Sequence, residues 1–574
     1  MERIKSSDEM AAHRAERAKL LKKERDMAWD KPVRERATAI EQQAALIIWK
    51  VREHERDVDF GNQASEAIPG PETLDLGGQF LTNRDRIERS RLFKIAQELP
   101  KGAHLHLHFN AELPAVILLQ KAKDVPNMFV RSTEPLVQDE NYATSEIVFN
   151  VMSVSTTPRV DIFSATYKPA FRGDGVQPWM LWSDFRVQFR ERNKHSKSHC
   201  YGDAEEWVLH KMILDQEAVY GLSQTTNGIW ARFNQATRCF KGLMNYESVY
   251  SWYIGEAIDN MIRDRVMYAE LRPMLLDKQI PGNDGKKMLD HRAQMQIIID
   301  QVTEKKKELG AKGELHKFPF GLKIIYCAPR SIPKPMMQRE IVDCIKLKLE
   351  YDDLICGFDL VGAEDRANHI GFYQEELVAM QQTCHDLGIS IPFMFHAGES
   401  LLDTGGSKNP ENSNLYDSVL FEAKRIGHGF SLLKHPVLVE EFKKKNICVE
   451  LCPTSNELLH LCRNVKEHPY PEILAAGIPC TINSDNPSLF TNSVSHEFYQ
   501  VMVGSMSMSL YGWRQLVNWS IQYSCLSKPE QEQAKQILEK EWVTFCHFVV
   551  DTYGKEFADK EFQDIPYFVR SEPS

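Results

Sequence analysis

Six residues stand out by type and position: His106 and His108 in AHLHLHF, His396 and Glu399 in FMFHAGE, His428 in RIGHG, and Asp485 in INSD. Histidines two apart on an extended strand project from the same face, so His106 and His108 can share one cation. His396 closes an apolar run, and the small Ala397-Gly398 pair after it lets the backbone turn sharply and bring Glu399 back over the strand end. Neutral imidazoles converging with a carboxylate make a donor set that suits zinc. Water on such a cation loses its proton near neutral pH, so metal-assisted hydrolysis is the expected chemistry. A lone histidine pair is a weak signal, and 19 histidines in 574 residues guarantee some coincidence. The weight comes from six chemically matched groups falling at the ends of four strand-like segments.

Those segments belong to a longer series. Apolar runs recur at 103–109, 266–271, 322–328, 354–360, 391–397, 424–429, 446–452 and 478–485, mostly with amphipathic patterns such as Phe372 to Asp386 between them. Eight strand–helix units are what a closed (β/α)8 TIM-type barrel requires, and such barrels build their sites at the C-terminal strand ends. The interval after the first run, about 155 residues, is too long for one crossover and implies an insertion at roughly 115–190. Residues 1–57 are rich in Glu, Lys, Arg and Ala and read as helices broken at Lys31-Pro32. The Gly/Pro-dense stretch from Gly61 to Gly78 reads as a linker before a short helix at Asn83 to Glu98. The expected organisation is a helical extension at 1–98, the barrel at 99–560 and a tail at 561–574.

Composition narrows the partners. The net charge of −10 provides no basic field for nucleic acid or anionic lipid, so an anionic ligand needs a local pocket. No apolar run reaches the 18 residues of a membrane-spanning helix, and no membrane partner is expected. Charges recur every two or three residues across Met1 to Asp26, which leaves no apolar leader for export. The twelve cysteines are sparse, and Cys356, Cys448 and Cys480 lie in strand-like runs as small hydrophobes, so a cytoplasmic location is expected. The chain has no H-E-x-x-H, G-x-G-x-x-G or Walker A motif, and no H-x-E paired with P-C-x-x-C, which excludes the cysteine-ligated zinc deaminases.

The segments LPKGAHLHLH, YAELRP, GFDLVGAED, FMFHAGES, RIGHGFSLLKHP, VELCPTSN and NSDNPSLF, in that order over about two thirds of the chain, resemble the adenosine/AMP deaminase superfamily. Within it, the chain looks most like the adenosine deaminase-related growth factor branch, the adenosine deaminase type 2-like proteins. The resemblance implies one zinc ion per chain on His106, His108, His396 and Asp485, with Glu399 as the acid that protonates the purine at N1. That role demands a raised pKa from burial. It further implies that His428 orients the attacking water and accepts its proton, that Asp485 also bonds this water, and that the Gly362 N–H meets purine N3. Asp359 and Ser455 match positions that orient the ligands. Glu270 and Arg272 read as a structural ion pair. The branch carries a dimerising N-terminal extension and an insertion after the first strand, so a homodimer is expected. In secreted members that insertion holds a disulfide, whereas 110–190 here contains no cysteine.

Two departures bear on the substrate. Asn486 stands where relatives usually have an Asp that bonds purine N7, and its amide can donate there without needing a proton. Phe109-Asn110 replaces a carboxylate near the ribose hydroxyls. The expected reaction is hydrolytic deamination of a 6-aminopurine nucleoside or nucleotide, with AMP accepted and Lys101 or His104 as phosphate partners. The alternatives are an adenosine-only deaminase, an amidohydrolase for another amino-heterocycle, and a growth-factor-like binding protein with a dead barrel. The last should have lost one of the six residues above, and none is missing.

Overall fold

Eight parallel strands form the frame: β1 Gly102–His108, β2 Val266–Arg272, β3 Leu322–Pro329, β4 Ile355–Val361, β5 His396–Ala397, β6 Arg425–His428, β7 Cys448–Leu451 and β8 Cys480–Ile482. The computed structural model describes residues 7–155, 157, 159–169, 178–193, 201–222, 224–366, 368–558, 565–566 and 569. Part of the expected insertion, including 170–177, and most of the expected tail at 561–574 lie outside the described residues. Every residue of β2 and β4 is buried, as strands covered by helices outside and by barrel contents inside must be.

The strands pair in the orders β1-β2-β3-β4 and β5-β6-β7-β8. Two short bridges join these halves into a closed (β/α)8 barrel. The Phe358 N–H donates to Pro392 O (3.1 Å) and the Met394 N–H to Phe358 O (2.9 Å); on the other side the His108 N–H donates to Asp485 O (2.9 Å).

β5 and β8 are shorter than the runs 391–397 and 478–485, for a shared reason. Pro392 has no N–H to give, and the His396 N–H donates to the Asp359 carboxylate (2.9 Å) instead of a neighbouring carbonyl. Beyond β8, the Asn483 side-chain oxygen accepts from both Leu105 and His106 N–H groups at 3.0 Å. Side chains have replaced ladder bonds where the site is built.

The barrel interior holds a fully buried chain of charges. Arg425 bonds Glu270 and Glu450 (both 2.5 Å), and Arg272 bonds Glu450 (2.7 Å) and Asp359 (2.9 Å). Glu270 and Arg272 are therefore not each other's partner. Two apart on β2, they share a face side by side, and each finds its counter-charge on other strands across the barrel.

The N-terminal region forms helices Asp8–Met27, Lys31–Arg34 and Ala39–His54; the segment expected as one helix at 83–98 is two, Phe80–Arg89 and Arg91–Glu98, divided where Ser90 caps the second by accepting from the Phe93 N–H. Helix Ala39–His54 packs along the C-terminal helix Lys528–Ala558 of the same chain, with Glu41 accepting from Arg514 and from the Trp542 indole. Trp29 stacks on Trp519 at 5.6 Å. This part of 1–57 covers its own barrel rather than needing a second subunit to bury it.

Between β1 and β2 the extra residues run well past 190. A three-stranded antiparallel sheet (Met128–Ser132, Ile147–Val151, Met180–Leu181) packs on helix Thr226–Met244. Contact is so close that a Cβ at Gly242 would sit 2.2 Å from Phe149 O, which is why glycine stands there.

Just past β1, Glu112 is buried with one oxygen bonded to Asn260 (2.8 Å) and the other without a partner. Burial pushes its pKa from near 4.5 up to about 8. The native state then keeps a proton that the unfolded chain releases, so this group makes stability fall as pH rises from about 4.5 to about 8. Glu112→Gln is expected to narrow the drop in Tm between pH 5 and pH 8, measured by scanning calorimetry; an unchanged drop would contradict the protonated state.

Candidate active site

The six residues singled out by type converge at the C-terminal ends of β1, β5, β6 and β8. The His108 and His396 Nε2 atoms lie 3.3 Å apart, and Asp485 Oδ1 lies 3.3 Å from His106 Nε2 and 3.2 Å from His108 Nε2. The ligand atoms of these four residues all fall within 4.8 Å of one another.

Tautomers explain what this cluster is for. His106 donates its Nδ1–H to Glu450 (2.8 Å), and His396 donates its own to Asp359 (2.8 Å). Burial alone would raise both carboxyl pKa values, but His396 and Arg272 hold Asp359 well below the usual carboxylate range, and Arg272 with Arg425 does the same for Glu450. With Nδ1 committed, the Nε2 lone pairs point into the cluster, where His106 Nε2 has no hydrogen-bond partner. The His106 Nε2 lone pair faces the Asp485 carboxylate at 3.3 Å, and two such acceptors repel unless a cation lies between them. Ligands at roughly 2.0–2.1 Å from one tetrahedral cation sit about 3.3–3.4 Å apart, so the donor set fits a small divalent metal.

Glu399 and His428 flank the cluster, with His428 Nε2 3.3 Å from Glu399 Oε1. Glu364 clamps the turn carrying Glu399 by accepting from the Gly398 and Glu399 N–H groups, both at 3.0 Å. Burial, then the Asp485 and Glu364 carboxylates, push the Glu399 pKa well above its ordinary value.

A relay sets the His428 tautomer. His468 Nδ1 accepts from the Tyr470 N–H, so its Nε2–H donates to Asn456 Oδ1 (2.9 Å), and Asn456 Nδ2–H donates to His428 Nδ1 (3.0 Å). Burial pushes the His428 pKa well below its ordinary value, which keeps the ring neutral with its proton on Nε2. Facing the site, His428 thus presents an Nε2–H.

Of the remaining expected residues, Asp359 contacts His396, but buried Ser455 finds no partner for its Oγ, and its neighbour Asn456 does the orienting. Gly362 adopts φ +105°, a conformation only glycine takes readily, with its nearest neighbour, Arg330 Cγ, 3.9 Å from a built Cβ. Asn486 donates to Asp485 Oδ1 (2.8 Å), and Asn110 lines the cavity above the cluster. Lys101 and His104 are corrected as phosphate partners: the Lys101 ammonium is buried against the Gln97 and Leu99 carbonyls below the barrel, and His104 accepts from the Ser484 N–H. Glu450, Glu364 and Asn456 were missed, although a charged residue inside the apolar run NICVELC is a visible signal.

The adenosine deaminase family model matches residues 215–540, more than half of the chain. The chain belongs to the adenosine deaminase family. It is 28% identical to the zebrafish (Danio rerio) adenosine deaminase 2-A over 81% of this chain and 83% of that protein, and 30% identical to an adenosine deaminase of Lutzomyia longipalpis over 80% of each. Among solved structures it is similar to the Arabidopsis N6-mAMP deaminase, with a TM-score of 0.50 and 16% identity over 78% of this chain and 99% of that one, a likeness of fold. Membership makes the protein a deaminase hydrolase of purine metabolism and its reaction metal-dependent. The cytoplasmic expectation is corrected by the same comparison, since adenosine deaminase 2 proteins form a secreted, extracellular family. Buried cysteines are small hydrophobes in any compartment and carried no real information about it.

Family membership gives the packing behind His106 a consequence. A Cβ at Gly427 would lie 2.7 Å from His106 Cε1. Gly427→Ala should therefore fold yet bind divalent metal about 10–100-fold more weakly, as displaced outer-shell support does elsewhere. Competition with a chromogenic chelator measures this, and wild-type affinity in the variant would show that the ring yields freely.

Proposed function

We propose that this chain hydrolyses the 6-amino group of a purine nucleoside or nucleotide, releasing ammonia and the 6-oxo product, with one zinc ion per chain on His106, His108, His396 and Asp485. The observation that carries this reading is the set of Nε2 lone pairs and one carboxylate converging beside a buried Glu399. Three imidazoles and one carboxylate suit zinc, which when bound would supply a water of lowered pKa at a position these residues leave open.

The protein's own groups do the rest. Glu399, kept protonated by burial and by neighbouring carboxylates, gives its proton to purine N1, which makes C6 electrophilic. Neutral His428 donates from Nε2 and orients the attacking water, leaving the Asp485 carboxylate as the acceptor for that water's proton. The Gly362 N–H meets N3 across a wall without a side chain, and the second amide hydrogen of Asn486 is available to N7.

His396→Ala is expected to give folded protein with little zinc by elemental analysis and turnover lowered by several orders of magnitude. Full occupancy in that variant would refute the ligand assignment. Glu399→Gln should retain zinc and lose turnover, because an amide cannot protonate N1; substantial residual ammonia release would remove Glu399 from the role of acid.

A homodimer belongs to the same reading. Helix Asp8–Met27 buries no residue among the described residues, and a 20-residue helix gains little stability in water without packing. Light scattering on the full chain should return twice the mass of one chain; a single-chain mass excludes the dimer.

A further inference from the structure

Above the metal-site residues lies a cavity of about 490 Å³. One wall is helix Thr226–Met244, supplied by the segment between β1 and β2. Trp230, Phe233, Asn234, Thr237, Arg238 and Lys241 line the cavity at three- and four-residue spacing, so a single helix face makes this wall.

The charge of the lining is one-sided. Four cations border the cavity, Arg238, Lys241, Arg330 and Arg366, while the only carboxylates among its described lining residues are Glu399 and Asp485 at the inner end. This concentration sits in a chain whose net charge is −10. Arg330 is buried, bonded to the Leu360 and His396 carbonyls, and its Nε and Nη1 have no partner among the described residues. The wall thus has donors that its own residues leave unsatisfied.

Lys241 and Asn110 border two adjoining cavities together, which places the ammonium beside the residue expected at the ribose. Arg238 lies three residues away on the same helix face. Glu146 bonds Arg238 (2.5 Å) and Asp277 bonds Lys241 (2.6 Å), yet neither carboxylate lines the cavity. Each counter-ion occupies one donor and holds its cation in place, leaving most of the five guanidinium N–H groups and two of the three ammonium hydrogens for a ligand. With Asn110 neutral, no carboxylate among the described residues lines this side of the cavity.

We propose that Arg238 and Lys241 form a subsite for the 5′-phosphate of an adenine nucleoside monophosphate, which makes AMP a substrate and gives the inserted helix a role in specificity. This rests on the deaminase reading above and names the substrate class of that site.

The test compares kcat/KM for AMP and adenosine in the zinc-loaded full-length enzyme and in its Arg238→Gln/Lys241→Gln double variant. The wild type should use AMP no more than tenfold less efficiently than adenosine, and the variant should lower the AMP-to-adenosine ratio at least tenfold. A charge-preserving Lys241→Arg variant should keep the ratio, which separates loss of the cation from loss of structure. A wild type that disfavours AMP more than tenfold, or a ratio the double variant does not move, overturns the subsite. Absence of ammonia from both compounds sinks the deaminase reading instead. The subsite is then read by calorimetry, where IMP should bind at least tenfold more tightly than inosine and lose that advantage in the double variant; equal binding of the two overturns it.

Discussion

Two buried guanidiniums, Arg272 and Arg425, are the constraint on which the site depends. They hold Asp359 and Glu450 ionised inside the barrel, where burial alone would protonate them. As anions, these carboxylates take the Nδ1–H of His396 and His106 and so aim two Nε2 lone pairs at one point. Buried ion pairs seldom add net stability, because desolvation offsets most of the attraction. Here their effect is specificity: they select one tautomer and one ring orientation for each histidine. Truncating either arginine would leave a carboxylate unpaired in the interior, which costs about 3–5 kcal/mol, and would disorder the cluster above it.

The barrel gives up regular pairing to make this arrangement. The Asp359 side chain takes the His396 N–H of β5, and the Asn483 side chain beyond β8 takes the Leu105 and His106 N–H groups of β1, where the strand ends must turn into the site. His428 and Asp485 adopt positive φ, +65° and +60°, at the same rim. Such conformations in residues other than glycine cost on the order of 1–3 kcal/mol each and persist only where the surroundings over-determine them. The His468–Asn456 relay provides that for His428, and the bridge to β1 provides it for Asp485.

The additions to the barrel divide the remaining work. Helix Ala39–His54 lies on the C-terminal helix and seals the outer layer, while the segment after β1 brings an aromatic and cationic helix face over the mouth of the site. A barrel of eight short units has little wall above its strand ends, so the loops and insertions there decide what ligand fits.

Much was legible in the sequence alone. The eight apolar runs lie within a few residues of the observed strands, because strands buried on both faces must be continuously apolar. The residues that converge at the strand ends were visible because histidine, glutamate and aspartate at the ends of such runs have no packing reason to be there. Asn486 and Asn110 could be named because a single side chain carries the chemistry. What the tertiary structure decided is pairing. Glu270 and Arg272 looked like partners from their spacing, but their counter-charges come from strands distant in sequence. Ser455 was expected to orient a ligand, yet the backbone turn delivers Asn456. The proton's place on the His428 imidazole depends on a hydrogen-bond chain through Asn456 and His468, and only the fold shows that Arg238 and Lys241 border the cavity while Lys101 lies below the barrel. Residue type and period are local properties of a chain; which donor meets which acceptor is settled only when distant strands close into one barrel.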